Sequence, residues 1–270
     1  LVNQLTIIVC LPFLTSTLGF EVFGILTKGL IIYQISTVIM DFGCSYSSIY
    51  FVKSDEEKNI KLEDIILPIF TIRLIIFLII LPTIYIFSFV LNLLNFSLSF
   101  FIFMSITIFL AGNNPYWIYQ VKLKNFHLLI STIFARIIFL VLIFTLINNP
   151  SNLNWYFIAL SICFLIVNLY ACFYFRKLRL TLSGYKFFFK IVQKSFTYFI
   201  SSVLNFHLNS LWALSLLVFG TNSQIIFFNL ADQCYRALNT LSGSIPINLY
   251  SKYTKSSDLL DSIKLGIIIS

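Results

Sequence analysis

The sequence predicts an all-α, polytopic transmembrane helix bundle, and three observations carry that prediction. Hydrophobic residues make up 59% of the 270 and charged residues only 10%, against about 25% charged in soluble domains. Long apolar runs alternate with short polar gaps, and the runs reach the roughly 20 residues needed to span a bilayer. Basic residues crowd into every second gap. Lys53–Asp64, Lys122–Lys124, Arg176–Lys194 and Lys252–Lys264 hold 3, 2, 6 and 3 of them, 14 of the 18 in the chain. The gaps between, Thr15–Glu21, Asn92–Asn95, Asn148–Asn154 and Gly220–Gln224, hold none. This positive-inside alternation places the basic gaps on the cytoplasmic side. A transmembrane barrel would instead show alternating segments of about 10 residues.

In chain order, helices are expected at 1–14, 22–52, 65–91, 96–120, 125–147, 154–175, 191–218 and 223–249, with a ninth from near 258. Gly19, Pro82, Pro115, Pro150 and Pro246 mark ends or kinks, since proline removes a backbone donor. Trp117, Trp155 and Tyr250 fall near expected interfaces, where amphipathic rings are favoured. The chain starts at Leu1 and stops at Ser270 inside apolar runs, the pattern of a transporter fragment truncated at both ends. The longest cytoplasmic gap follows the sixth helix. Residues 1–180 therefore read as a first six-helix lobe and 181–270 as the start of a second lobe. Leu18-Gly19 and Phe219-Gly220 open the second and eighth helices alike, an echo of the repeats on which transporters are built.

The net charge of +8 does not point to nucleic acid. Its confinement to alternate gaps serves topology and contact with anionic membrane lipid. The five cysteines lie inside apolar runs without CxxC spacing, and there are two histidines, so they read as small buried hydrophobes rather than disulfides or metal ligands. No GxxxxGK[ST], HExxH or GxSxG motif occurs. No cofactor and no metal are expected, and energy must come from a gradient or another protein.

Six charged residues remain inside the spans: Lys28, Arg73, Arg136, Arg236, Asp41 and Asp232. Each costs about 2.5–3.5 kcal/mol at mid-membrane, so they should face a bundle interior or a wet cavity. On the eighth helix Asn229, Asp232, Arg236, Asn239 and Gly243 recur at steps of 3, 4, 3 and 4 and line one face. Asp232 and Arg236 can neutralise each other one turn apart. The stripe reads as a cavity wall or as polar glue between helices. The seventh helix carries Ser202, Asn205, Asn209 and Trp212; the second carries Gln34, Thr37, Asp41, Ser45 and Ser48. Lys28 lies off that second stripe and can face a neighbour or snorkel. Arg73 is within reach of the inner interface, whereas Arg136 is near mid-span and is not. His127 and His207 read as structural hydrogen-bonders.

Leu11-Pro12-Phe13-Leu14-Thr15 followed by Leu18-Gly19 and Phe23-Gly24 resembles the first helix junction of the polysaccharide biosynthesis flippases, the Wzx-type exporters of O-antigen and capsule repeat units. Asp41-Phe42-Gly43 and Pro115-Tyr116-Trp117-Ile118-Tyr119-Gln120 are similar to that family's patterns, as is Phe228 to Tyr250 with the loop through Lys252. Ser16, Phe20 and Val121 depart from it, where the family often has a basic residue, Pro and Gly, so the subfamily stays open. The resemblance implies a two-lobed bundle of about twelve to fourteen helices working by alternating access. It implies a transporter, not an enzyme, in the bacterial inner membrane. Its cargo would be an undecaprenyl-diphosphate-linked oligosaccharide, coupled to a proton or sodium gradient, with a polysaccharide polymerase and chain-length regulator as further partners. Arg136 and Arg236, with Lys28 or Arg73, would meet the diphosphate, and Asn205, Asn209, Asn229 and Asn239 the sugar hydroxyls. The alternatives are a membrane oligosaccharide polymerase or ligase, a cation-coupled multidrug exporter and a peptidoglycan-precursor flippase.

Overall fold

The computed structural model describes residues 2–53, 60–90, 97–176, 178, 181–235 and 238. Its helices are α1 (Val2–Asp41), α2 (Cys44–Lys53), α3 (Leu62–Val90), α4 (Leu98–Gly112), α5 (Tyr116–Val121), α6 (Asn125–Leu146), α7 (Asn154–Tyr174) and α8 (Phe188–Phe219). A ninth, α9, covers 222–235. No strand occurs among the described residues. The protein is an all-α polytopic bundle. The expected stretch from 239 to 249 and the span from 258 lie outside the described residues.

Five helical stretches are long and apolar enough to cross a membrane: Leu5–Val52, Leu62–Ile86, Leu98–Val121, Asn125–Leu146 and Pro150–Tyr174. The first has 48 residues, about twice one crossing. Gly19 resolves this. Its φ of 72° and ψ of 167° lie in a region that glycine alone enters freely. Asn3 and Gln34 line one cavity, although a straight helix would hold them about 46 Å apart. Helix α1 is therefore a hairpin of two arms folded at Gly19. These arms are the expected first and second helices, the first a turn longer than its sequence suggests.

The expected helix over 22–52 is broken at Phe42 (φ 48°) and Gly43 (φ 70°). The reason is tertiary. A β-carbon on Gly43 would run into the Ser195 carbonyl oxygen and lie 2.6 Å from Phe199 N, so the α8 backbone packs directly on the break. Around it Phe42 stacks on Phe199 at 5.0 Å, and Ser47 Oγ meets Ser195 Oγ at 2.7 Å. Lys194 Nζ sits 4.0 Å from the centre of the Tyr50 ring. The expected helix over 96–120 likewise divides into α4 and α5, because Pro115 disfavours helical geometry in the residue before it.

The main apolar core joins both arms of α1 to α4, α6 and α7, through Leu18, Phe23, Phe100, Phe139 and Phe157 among others. A smaller cluster joins α2, the start of α3, α5 and α8 through Phe51, Ile65, Trp117 and Ile191. Trp117, expected at an interface, is buried in it. Small polar groups tie helices together within the apolar zone. Thr107 on α4 donates to or accepts from Ser161 on α7 at 2.7 Å, and Asn168 Nδ2 donates to the Leu110 carbonyl at 3.0 Å. His127 Nδ1 lies 3.2 Å from Tyr170 OH, the structural role expected of it. Large apolar side chains such as Leu78, Ile79, Ile86 and Phe173 face outward, as lipid allows. Cys10, Cys44 and Cys163 are buried, but Cys172 and Cys234 are exposed. Those two correct the expectation of buried hydrophobes: an apolar helix face in lipid does not need covering.

Gly43→Ala should lower the melting temperature of the detergent-solubilised protein by about 4 °C or more. The left-handed φ alone costs a β-carbon about 1–2 kcal/mol, and the α8 contact adds to that.

Candidate functional site

A cavity of ≈ 340 Å³ opens inside the bundle. The first arm of α1 contributes Asn3 and Ile7 to it. The second arm and α2 contribute Tyr33, Gln34, Thr37, Asp41 and Ser45. Arg73 comes from α3, Asn114 and Tyr116 from the α4–α5 junction, Arg136 from α6, Tyr156 and Phe164 from α7, and Gln233 from α9. The polar stripe read on the second helix thus faces the cavity at Gln34, Thr37, Asp41 and Ser45. Ser48, at its end, is buried outside the cavity.

Two guanidinium groups define the electrostatics. Arg73 is 3% exposed and is the partner of Asp41, with Nη2 2.5 Å from Oδ1. Ser45 Oγ donates to the same Oδ1 at 2.6 Å and accepts from Arg73 Nη2 at 3.1 Å. Arg73 Nη1 donates to the Asn114 carbonyl at 3.4 Å. Asp41 comes from the last turn before the helix break, so the break and the ion pair are built together. Of the two placements its reach allowed, cavity or inner interface, Arg73 takes the cavity, buried beside Asp41.

Arg136 is different. It is 8% exposed, lies midway along α6, and has no carboxylate partner among the described residues. Its Nε–H donates to Asn3 Oδ1 at 2.8 Å. Its guanidinium carbon lies 5.7 Å from the centre of the Phe139 ring and 5.9 Å from that of Phe164. Two such contacts are worth about 0.5–2 kcal/mol each. They hold the group in place but leave its charge uncompensated, in a setting where an unpaired charge is expensive. Asn114 Nδ2 and Oδ1 and Gln233 Oε1 are also buried without a hydrogen-bond partner among the described residues.

Of the residues singled out from sequence, the structure gathers Asp41, Arg73 and Arg136 around the cavity. Lys28 is not among its lining. It is half-buried one turn from Gly24, where a β-carbon would lie 3.0 Å from Asn222 at the start of α9. Asn229 is buried and accepts from Gln233 Nε2 at 3.4 Å, and Asp232 is half-buried. Neither lines the cavity; Gln233, one turn on from Asn229, does. Asn205 and Asn209 belong to α8, but their side chains lie outside the described residues, as do Arg236 and Asn239. Sequence reasoning missed Asn3, Asn114, Tyr33, Tyr116, Tyr156 and Gln233. Gln233 carried a signal, its i,i+4 spacing from Asn229. A second, mainly apolar cavity of ≈ 430 Å³ between α3, α4–α5 and α7 has Arg73 and Arg176 in its wall.

Compared with known proteins, residues 1–246 match the model of a family described as polysaccharide biosynthesis protein. No curated protein and no solved structure matches the chain significantly.

Asp41→Ala strands a buried guanidinium and should cost about 3–5 kcal/mol, whereas the double change Arg73→Met with Asp41→Leu should recover most of it. Thermal unfolding of the solubilised variants checks both.

Proposed function

Since the chain belongs to the polysaccharide biosynthesis protein family, we propose that it moves a lipid-linked oligosaccharide across the bacterial inner membrane. The cargo in this reading is an undecaprenyl-diphosphate-linked repeat unit of O-antigen or capsule, passed from the cytoplasmic to the periplasmic leaflet. The observation that carries the reading is Arg136, a buried cation with no carboxylate partner among the described residues, facing a cavity whose wall mixes polar side chains with apolar ones. A diphosphate supplies the missing negative charge, and guanidinium–phosphate contacts are charge-assisted and often bidentate. Amide and hydroxyl groups of Gln34, Thr37, Asn114 and Gln233 suit sugar hydroxyls, which both donate and accept.

Residues 1–180 then form one lobe and 181–270 open the second. Contacts link the two at both membrane faces: Gly43 with Ser195 on the cytoplasmic side, and Phe20 with Phe227, 6.1 Å apart, on the other. Alternating access requires each contact to part in turn, driven by a proton or sodium gradient. The polyprenyl tail remains in lipid between the lobes. The role is transport, not catalysis, and polymerase and chain-length regulator act downstream. Asn205, Asn209, Asn229, Asn239, Asp232, Arg236 and Lys28 belong to this path as further polar contacts. A multidrug exporter for cationic drugs wants an open carboxylate, and Asp41 is taken by Arg73.

Deleting the gene and labelling lipid-linked repeat units from each side of the membrane tests the proposal. Complete single units trapped on the cytoplasmic leaflet are expected. Units that reach the outer leaflet but stay unpolymerised would indicate a polymerase, and unchanged pools a drug exporter. Arg136→Ala and Arg236→Ala should each abolish export at normal membrane levels of protein, measured by the same labelling.

A further inference from the structure

The two guanidinium groups of the cavity differ in one feature of their neighbours. Arg73 meets a carboxylate oxygen, Asp41 Oδ1, at 2.5 Å. Arg136 meets an amide oxygen, Asn3 Oδ1, at 2.8 Å. In both, a short side chain offers one oxygen to the nitrogens of the fork. Asn and Asp have nearly the same shape, and only Asp carries charge.

The consequences differ. The Asp41 contact neutralises Arg73, and Ser45 and the Asn114 carbonyl take further hydrogens of its fork. The Asn3 contact uses Arg136 Nε alone. The terminal nitrogens of Arg136 have no protein partner among the described residues, while the Phe139 and Phe164 rings fix the plane of the group. At 8% exposure solvent screens Arg136 weakly, so an arriving anion meets nearly its full charge. Asp41 is 30% exposed, but it touches a guanidinium that is itself buried, so its charge opposes any anion approaching Arg73 at contact range.

We propose that Asn3 and Asp41 set which arginine of the cavity receives an anionic group. Asn3 orients Arg136 and leaves its charge open; Asp41 withholds Arg73. The anion is a phosphate or diphosphate, which matches the fork bidentately. The proposal rests on the reading that the cavity takes a diphosphate-linked cargo, and it adds the residues that decide where the diphosphate sits. Both are positioning residues: Asn3 acts through Arg136 and Asp41 through Arg73.

The test is calorimetric titration of inorganic pyrophosphate into the full-length protein in lipid nanodiscs at low salt. Asn3→Asp, which turns the open site into an internal ion pair, should weaken binding about tenfold to a hundredfold. Asp41→Asn, which keeps the acceptor and removes the charge, should tighten it about tenfold. Asn3→Ala should weaken binding in the natural protein yet change it by less than about twofold when Arg136 is already Gln. A merely structural Asn3 would lower both alike. Asn3→Asp binding as the natural protein does, or Asp41→Asn binding no tighter, overturns the assignment. Translocation of lipid-linked oligosaccharide in proteoliposomes separates the two claims. No translocation with the pyrophosphate pattern intact removes the cargo reading and leaves the assignment. Translocation with the pattern lost removes the assignment alone.

Discussion

A charge held away from water, with no carboxylate beside it among the described residues, is the constraint around which this bundle is arranged. Arg136 sits where a bilayer would make an ion most costly, and its neighbours supply orientation rather than neutrality. Three breaks in regular helix bring polar groups to the cavity it faces. The hairpin at Gly19 carries Asn3 back to α6. The break at Phe42–Gly43 lets the second arm bring Asp41 to Arg73 before the chain turns into α2. The α4–α5 junction presents the Asn114 carbonyl to the same arginine. All three are departures from regular helix; the break at Phe42–Gly43 and the α4–α5 junction lie at or beside the cavity, whereas Gly19 is exposed at the hairpin tip.

Lipid explains why such departures are concentrated there. An interrupted helix exposes backbone groups that hydrocarbon cannot satisfy, so irregular backbone is tolerated only against protein or a wet cavity. Gly43 packs on α8, and Asn113 to Pro115 border the two cavities. The regular stretches of α3 and α6, by contrast, turn bare Leu, Ile and Phe outward.

Class and the order of the spans were legible because they rest on a local quantity, the hydropathy of a run. One wall of the cavity was also legible, since Gln34, Thr37, Asp41 and Ser45 keep helical spacing. The partner of Arg136 was not. Asn3 is 133 positions away, and a lone Asn near the start of an apolar run carries no pattern. Arg73 was ambiguous for a similar reason: its reach allowed either the interface or the interior, and only Asp41, 32 positions off, decides. On α9 both Asp232 and Gln233 keep helical spacing from Asn229, so periodicity does not separate them; Gln233 lines the cavity, and the rest of the stripe lies outside the described residues. The break at Gly43 depended on α8, a neighbour that no local window contains, whereas the one before Pro115 was marked by the proline itself.

The tip of the α1 hairpin bears on how the chain is made. Thr15 Oγ1 donates to the Leu11 carbonyl at 3.0 Å, Ser16 Oγ to that of Phe13 at 2.9 Å, and Thr17 Oγ1 to the same oxygen at 2.8 Å. Each hydroxyl is satisfied within its own helix, independently of any tertiary partner. The tip carries no basic residue, and Glu21 is its single acid. The two arms can therefore pass into the bilayer together from the ribosome, as a folded pair whose leading edge has little hydration to shed. These two crossings can then enter as one insertion event, with Asn3 beside the second arm when α6 emerges to meet it.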